Sequence, residues 1–261
     1  MTAAAKVQEA RTPELTEPIL RQLGPAGDAY DAWVHDGISP NGARRANEAR
    51  LAAGDKLAER WPESLRIFES DFLEALSHPQ WRTILVIWVP VVVLLFGASI
   101  AWADLAWGPA ALWALGGLVL WTLTEYLLHR FVFHFQPRSA LGRKIHFMAH
   151  GIHHLDPWDP TRLVFPPLAG FVVAGIIFGL LLVPLALGPA LATMAGLLTG
   201  YIVYDMTHYY THHARPKTRW GKWLKAWHLA HHHKYWTRMY GVSSPFWDLV
   251  FRTGRPPKGS K

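Results

Sequence analysis

Fifteen histidines stand in the 261-residue chain, and thirteen of them fall between His129 and His233. Imidazole is the commonest metal-ligating side chain and also the usual acid–base group near neutral pH, so spacing has to decide between the two uses. His150, His153 and His154 in HGIHH, and His228, His231 and His232 in HLAHHH, stand at i, i+3 and i+4. Those positions share one helix face, so each triplet can aim at a common point. His208 and His212 in HYYTHH are one turn apart. His129 and His134 in HRFVFH are five residues apart, about 500° of α-helical rotation, which leaves them roughly 140° apart. Either the helix ends between them or each reaches a different ion. Ten imidazoles are too many for one ion, and the pattern predicts two metals with about five ligands each.

The chain has no cysteine, which removes disulfides, cysteine-ligated iron–sulfur clusters, cysteine zinc fingers and thiol nucleophiles. Imidazole suits zinc, copper, iron and nickel. Structural zinc normally takes four ligands, often with cysteine, so two ions with many neutral ligands and open positions fit redox iron better. Acids beside the clusters can orient the rings instead of ligating: Glu125 lies four before His129 and Asp205 three before His208. His146, His213 and His233 each adjoin a cluster, and ring support or plain solvation fits them equally. His35 and His78 read as polar tips at a membrane interface.

The elements that must position these residues are membrane helices. Hydrophobic residues make up 51% of the chain, and charged ones 17% against a typical quarter, which excludes disordered and coiled-coil chains. Residues 83–103, 105–124 and 163–204 carry no charge over 21, 20 and 42 positions, the last interrupted by Gly188-Pro189. A span needs about 20 apolar residues, so four are expected, at about 82–103, 108–130, 165–187 and 189–210, joined by short hairpins near Asp104–Gly108 and Leu187–Pro189. The N-terminus has no apolar core and is not a secretory signal. Residues 1–55 read as a polar, partly ordered segment. Residues 56–81 read as an amphipathic interfacial helix, from the spacing of Leu57, Trp61, Leu65, Phe68, Phe72 and Leu76. None of the 26 Lys and Arg lies in either hairpin, so the N-terminus, the middle segment and the C-terminus are expected in the cytoplasm. Topology thereby explains the net charge of +7 without nucleic acid, and it sends all four histidine clusters to one side of the membrane.

The stretches EYLLHRFVFHFQP (125–137), HGIHHLDPWDPTRLVFPP (150–167), YDMTHYYTHH (204–213) and HLAHHHKY…YGVSSPFWDLVF (228–251) resemble the fatty acid 2-hydroxylases, within the fatty acid hydroxylase/sterol desaturase superfamily. The resemblance covers about residues 68–252. The histidine spacings mark the superfamily, while RLVFPP and YDMTHYY point to 2-hydroxylation. The resemblance implies an all-α integral membrane protein. Four transmembrane helices would carry a cytosolic helical cap (131–164 and 211–252) that holds a histidine-rich di-metal site, with a C-terminal tail at 253–261. It implies two iron ions, with zinc able to occupy the site on isolation, and O2 as co-substrate for hydroxylation at C2 of a fatty acyl chain. The family's ten ligands fall on His129, His134, His150, His153, His154, His208, His212, His228, His231 and His232. The first 80 residues lack the HPGG haem signature of a cytochrome b5 domain, so electrons are expected from a separate ferredoxin or b5-type protein.

Candidate substrate-lining residues are Trp158, Arg162, Tyr201, Tyr204, Tyr209 and Trp236, although an aromatic belt explains most of the 14 tryptophans, and snorkelling to lipid phosphate explains Arg162 equally well. The setting would be the bacterial inner membrane or the endoplasmic reticulum. Two other readings stay open: a sterol or carotenoid oxygenase or desaturase with the same metals, and a metal transport or sensing protein. Transport sites sit near mid-bilayer, whereas these ligands gather beyond the span ends.

Overall fold

The computed structural model describes residues 13–23 and 29–256. These form, in order, α1 (Ile19–Gln22), α2 (Ala29–Asp36), α3 (Pro40–Ala52), α4 (Leu57–Arg60), α5 (Asp71–Leu76), α6 (Trp81–Ala101), α7 (Trp107–Leu127), α8 (Ala140–His146), α9 (Ile152–Leu155), α10 (Pro167–Leu181), α11 (Leu187–His213), α12 (Arg219–His233) and α13 (Phe246–Val250). Two π-helical turns, Leu128–Phe133 and Phe147–Gly151, continue α7 and α8. Among the described residues there is no strand. The chain divides into two compact units, Met1–Ala75 with Gln136–Asp156, and Leu76–Phe135 with Pro157–Lys261.

In the first unit, Ile19, Leu23, Tyr30, Val34, Leu65 and Ile67 share a core with Phe147, Ile152 and Leu155. The described part of the segment expected to be polar and partly ordered contributes Ile19, Leu23, Tyr30 and Val34 to that core; residues 1–12 and 24–28 lie outside the described residues. Tyr30 and Val34, one turn apart, give α2 its buried stripe. Ser39 caps α3 by accepting from the Gly42 N–H. The single amphipathic helix expected over residues 56–81 is not formed. The chain there makes α4 and α5 with non-helical residues between them. The N–H groups of Leu20 and Ile19 donate to Ile67 and Arg66, and the buried Glu74 carboxylate accepts from Ile67 and Phe68 at 2.9 and 2.8 Å. Those bonds satisfy backbone donors that a helix would otherwise have used.

In the second unit, three helical stretches are long and apolar enough to cross a membrane: Trp81–Ala101, Trp107–Phe133 and Leu187–His213. Within its most apolar window α11 is 72% buried, against 17% for α6, so α11 is the central element. The third expected span is a 15-residue apolar helix, α10, about 22 Å long against a hydrocarbon core of about 30 Å. The breaker expected at Gly188-Pro189 is not one. The turn falls before α11, and Pro189 sits in the first helical turn, where its missing N–H is no loss.

Glycine sets the closest approach. A Cβ added at Gly117 would overlap the Thr193 carbonyl, and one at Gly196 would overlap that of Ala114. Gly200 packs on Trp121, and Gly188 faces Ala103 and Leu105 beside the turn between α6 and α7. These pairings advance together along the chain, so α7 and α11 run in the same direction at backbone contact, as small-residue interfaces allow. Their C-terminal ends, which carry His129 and His208, therefore meet at one end of the unit.

Candidate metal centre

The first group of ligands depends on the π-turn after α7. The His134 N–H donates to the His129 carbonyl at 3.1 Å, an i→i+5 bond that brings the two residues into register. On a straight α-helix their side chains would diverge; here the ring centroids are 4.9 Å apart. His231 joins them, its Nε2 lying 3.0 Å from Nε2 of His134. Each of the three offers a nitrogen within 4.8 Å of the others.

The second group comes from α11 and α12. His208, His212, His228 and His232 offer nitrogens within 4.8 Å of one another. His228 Nε2 lies 2.8 Å from that of His212 and 3.1 Å from that of His232. The histidines of α12 thus do not aim at a common point as expected: His228 and His232 serve one group and His231 the other. From His228, position i+4 lies about 40° to one side and i+3 about 60° to the other, so the helix end straddles two sites. In the first unit the HGIHH triplet also divides. His150 and His154 bring their Nε2 atoms to 3.1 Å, while the His153 ring stands 5.3 and 5.9 Å from the other two.

All ten of these histidines are buried. Two nitrogens each 2.0–2.1 Å from one ion stand about 3.0 Å apart at 90° and about 3.4 Å apart at the tetrahedral angle. Separations of 2.8–3.1 Å therefore suit nitrogens that share one ion. Tautomers agree. His129 Nδ1 lies 2.5 Å from the Tyr240 carbonyl oxygen, and His231 Nδ1 lies 2.6 Å from that of Arg238. A carbonyl only accepts, so each Nδ1 carries the proton and each Nε2 presents its lone pair.

Glu125 supports this group through a loop. Its carboxylate accepts from the Val242 and Ser243 N–H groups, both at 2.8 Å, and from the Ser243 hydroxyl. It thereby fixes the segment whose Tyr240 carbonyl orients His129, so the orienting role expected of Glu125 runs through the backbone of that loop. Asp248 fixes the same segment, accepting from the Tyr240 and Gly241 N–H groups at 3.0 and 2.7 Å. Sequence reasoning missed Tyr240, Arg238 and Asp248, because a carbonyl's role leaves no mark on residue type.

Asp205 is buried one turn before His208. His146 is buried in the first unit with Nδ1 2.8 Å from the Tyr30 hydroxyl, and burial, then the charge of His35, holds its imidazole down to about 4. His213 is half-buried on Tyr209, and His233 is exposed beneath Trp158. Of the lining candidates, Tyr204 sets its ring 5.7 Å from that of His208, and both Tyr204 and Tyr201 pack on Trp121. Tyr209 packs on Trp81, Trp236 is half-buried and Trp158 is 43% exposed.

Arg162 and His78 correct the interfacial reading. Both are buried. Arg162 donates to His78 Nε2 at 2.8 Å and to the Ser77 hydroxyl at 2.9 Å, and it pairs with Asp159 at 3.5 Å. Since Arg only donates, His78 is protonated at Nδ1, which meets the Thr161 hydroxyl at 2.7 Å; Thr161 in turn donates to Asp159. Arg162 is thus held inside the protein and does not reach out to lipid phosphate. The network anchors the RLVFPP segment, whose Leu163 and Val164 pack with Tyr201 and Tyr204.

Residues 114–253 match the sequence profile of the fatty acid hydroxylases. A dihydroceramide fatty acyl 2-hydroxylase of Arabidopsis thaliana is 38% identical over 247 residues, 95% of each chain. This chain belongs to the fatty acid hydroxylase family. The human fatty acid 2-hydroxylase is 34% identical over 93% of this chain and 64% of its own. The hydroxylase domain visible in the structure of scs7p superposes with a TM-score of 0.81 at 32% identity, covering 97% of this chain and 90% of that one. All ten clustered histidines lie inside the region that matches the family profile.

Proposed function

We propose that this chain is an O2-dependent fatty acid 2-hydroxylase that places a hydroxyl at C2 of an amide-linked fatty acyl chain of the ceramide class. Two iron ions would be held by His129, His134, His150, His153, His154, His208, His212, His228, His231 and His232. The observation that carries this reading is the pair of all-imidazole groups with Nε2 separations near 3 Å, in a chain 38% identical over 95% of its length to a protein named for that reaction. When bound, the ions supply O2 activation and attack on an unactivated C–H bond, chemistry that no side chain here can provide. The balance is R–H + O2 + 2 e− + 2 H+ → R–OH + H2O, so an electron carrier is required.

The chain's own residues orient and enclose. The carbonyls of Tyr240 and Arg238 hold the Nδ1 protons of His129 and His231, and Glu125 holds the loop that presents Tyr240. Tyr204, Tyr201, Trp121, Leu163 and Val164 form an apolar wall beside His208 that excludes water and would receive the acyl chain. The protein would span the membrane four times with both termini in the cytoplasm, in a bacterial inner membrane or the endoplasmic reticulum.

Lipid mass spectrometry tests the reading. The chain is expressed in a bacterium with a ferredoxin system and ceramide or fatty acid supplied, beside H153A and H231A controls. The expected result is an acyl product 16 Da heavier with its hydroxyl at C2, absent from both controls, which also lose metal. A product oxidised elsewhere, or on a sterol or carotenoid, would keep the metal centre and discard 2-hydroxylation. Metal carried across vesicles with no lipid product would replace the enzyme by a transporter.

A further inference from the structure

Helix α12 carries ligands at its C-terminal end and an unusual surface at its start. Trp220 and Trp223 are 59% and 40% exposed, yet their rings stack on each other, centroids 4.8 Å apart at 27°. Trp223 continues onto Trp227, 5.5 Å away. Trp227 is half-buried, immediately precedes His228, and stands one helical turn before His231 on the same face. The ladder therefore leads from solvent toward the ligand-bearing end. Its frame is fixed. Thr218 caps the helix by accepting from the Gly221 N–H, Gly221 sits where a Cβ would strike the Tyr210 hydroxyl, and Lys225 donates to the carbonyls of His212 and Ala214.

Charge surrounds the outer end. From Met206 to Trp247 the chain carries Arg215, Lys217, Arg219, Lys222, Lys225, Lys234 and Arg238 and no Asp or Glu. Arg215, Lys217, Arg219 and Lys222 are exposed. A membrane-interface belt also joins Trp to Lys and Arg, but a belt needs neither rings stacked on one another nor a ladder that runs along one helix toward its ligand-bearing end. The geometry points to this face as the docking site of an acidic one-electron carrier protein, with Trp220, Trp223 and Trp227 as the path inward. The inference rests on the proposed hydroxylase reading, whose balance requires two external electrons. Each docking oxidises one carrier by one electron; two dockings, with two protons from water, complete the reaction.

The test uses the full chain in zwitterionic phosphatidylcholine nanodiscs with a plant-type [2Fe–2S] ferredoxin as the probe. The expected result is salt-sensitive binding that R219E/K222E weakens at least tenfold, because rim charges steer and fix such encounters. Under anaerobic stopped flow, W227L keeps that affinity but slows ferredoxin oxidation at least tenfold, and W227Y restores part of the rate; W223L, at the surface, covers the case in which W227L fails to fold. Binding unchanged by R219E/K222E overturns the docking site. Unchanged oxidation rates in W227L and W223L overturn the path. Quenching of Trp220 and Trp223 by brominated phosphatidylglycerol, with ferredoxin affinity untouched, assigns the face to lipid and also overturns the proposal. Iron content of the same samples separates these failures from failure of the hydroxylase reading, because the binding arm needs no iron.

Discussion

A ligand's identity is set by its side chain, but its direction is set by groups that leave little trace in sequence. Glu125 shows this. Its buried carboxylate accepts three hydrogen bonds from Val242 and Ser243, and only through that loop does Tyr240 reach His129. E125A should leave three buried donors unsatisfied, cost about 3 kcal/mol of stability, and lower metal affinity by about 10–100-fold, as outer partners of ligating histidines typically do. Metal titration beside thermal melting checks this; wild-type metal affinity in E125A would sever the loop from the site. His146 gives a pH prediction. Burial lowers its pKa from 6.5 to about 4, so between those values the unfolded chain binds a proton that the folded chain resists. Stability present above pH 6.5 should fall toward pH 4 by on the order of 3 kcal/mol. Below that window Asp55 adds a loss of the same sign. Burial alone would raise its carboxyl, but hydrogen bonds from Arg50 and Arg66 outweigh it and hold the group below its usual range. Melting temperature against pH, beside H146N, should show the first step diminished in the variant.

At the scale of elements, hydropathy made α6, α7 and α11 legible, because a charge-free run of 20 residues has few other uses. The turns and short helices were less so. The π-turn that aligns His129 with His134 follows from neither residue's propensity, and the five-residue spacing could only signal that a regular helix would not serve. The helix expected over residues 56–81 failed for a related reason: of the competing partners, Ile19 and Leu20 lie far outside the local pattern, and Glu74 is not among its apolar positions. His78 looked like an isolated polar tip because Arg162 is 84 positions away. H78A should therefore leave Arg162 with a lost acceptor in a buried setting and destabilise the protein by about 2 kcal/mol, read as a lowered melting temperature; an unchanged one would restore the interfacial reading. The α7–α11 pairing gives a sharper test. In G196A the new Cβ would overlap the Ala114 carbonyl, so the backbones must separate. A loss on the order of 3 kcal/mol is expected, against little effect in G175A, where the added Cβ meets open space. Equal melting of the two variants would mean that α7 and α11 do not touch there.

For the molecule as a whole, the decisive feature is that ligand chemistry and positive charge were both kept out of the two turns flanking the apolar helices. Parallel α7 and α11 explain how two elements distant in sequence deliver their histidines to one end. Gly188 beside Ala103 and Leu105 shows that the turn before α11 returns to the level of the turn after α6. On the proposed four-span reading α10, although only 15 residues long, would bring the chain back across the same depth, and Trp102 and Val183, 84% and 83% exposed, would belong to one face of the membrane. The absence of native cysteine makes this directly readable, since any thiol introduced is the only one present. In intact bacterial cells a membrane-impermeant maleimide should label W102C and V183C. It should reach K217C and R255C only after permeabilisation, because the proposed topology puts the Lys- and Arg-rich end in the cytoplasm. Labelling of W102C without V183C would make α10 a re-entrant segment and reduce the spans to three, and the reverse pattern for all four positions would invert the protein. The expected pattern keeps all the clustered histidines of the second unit on the cytoplasmic side, where reduced carrier proteins can reach the exposed face of α12.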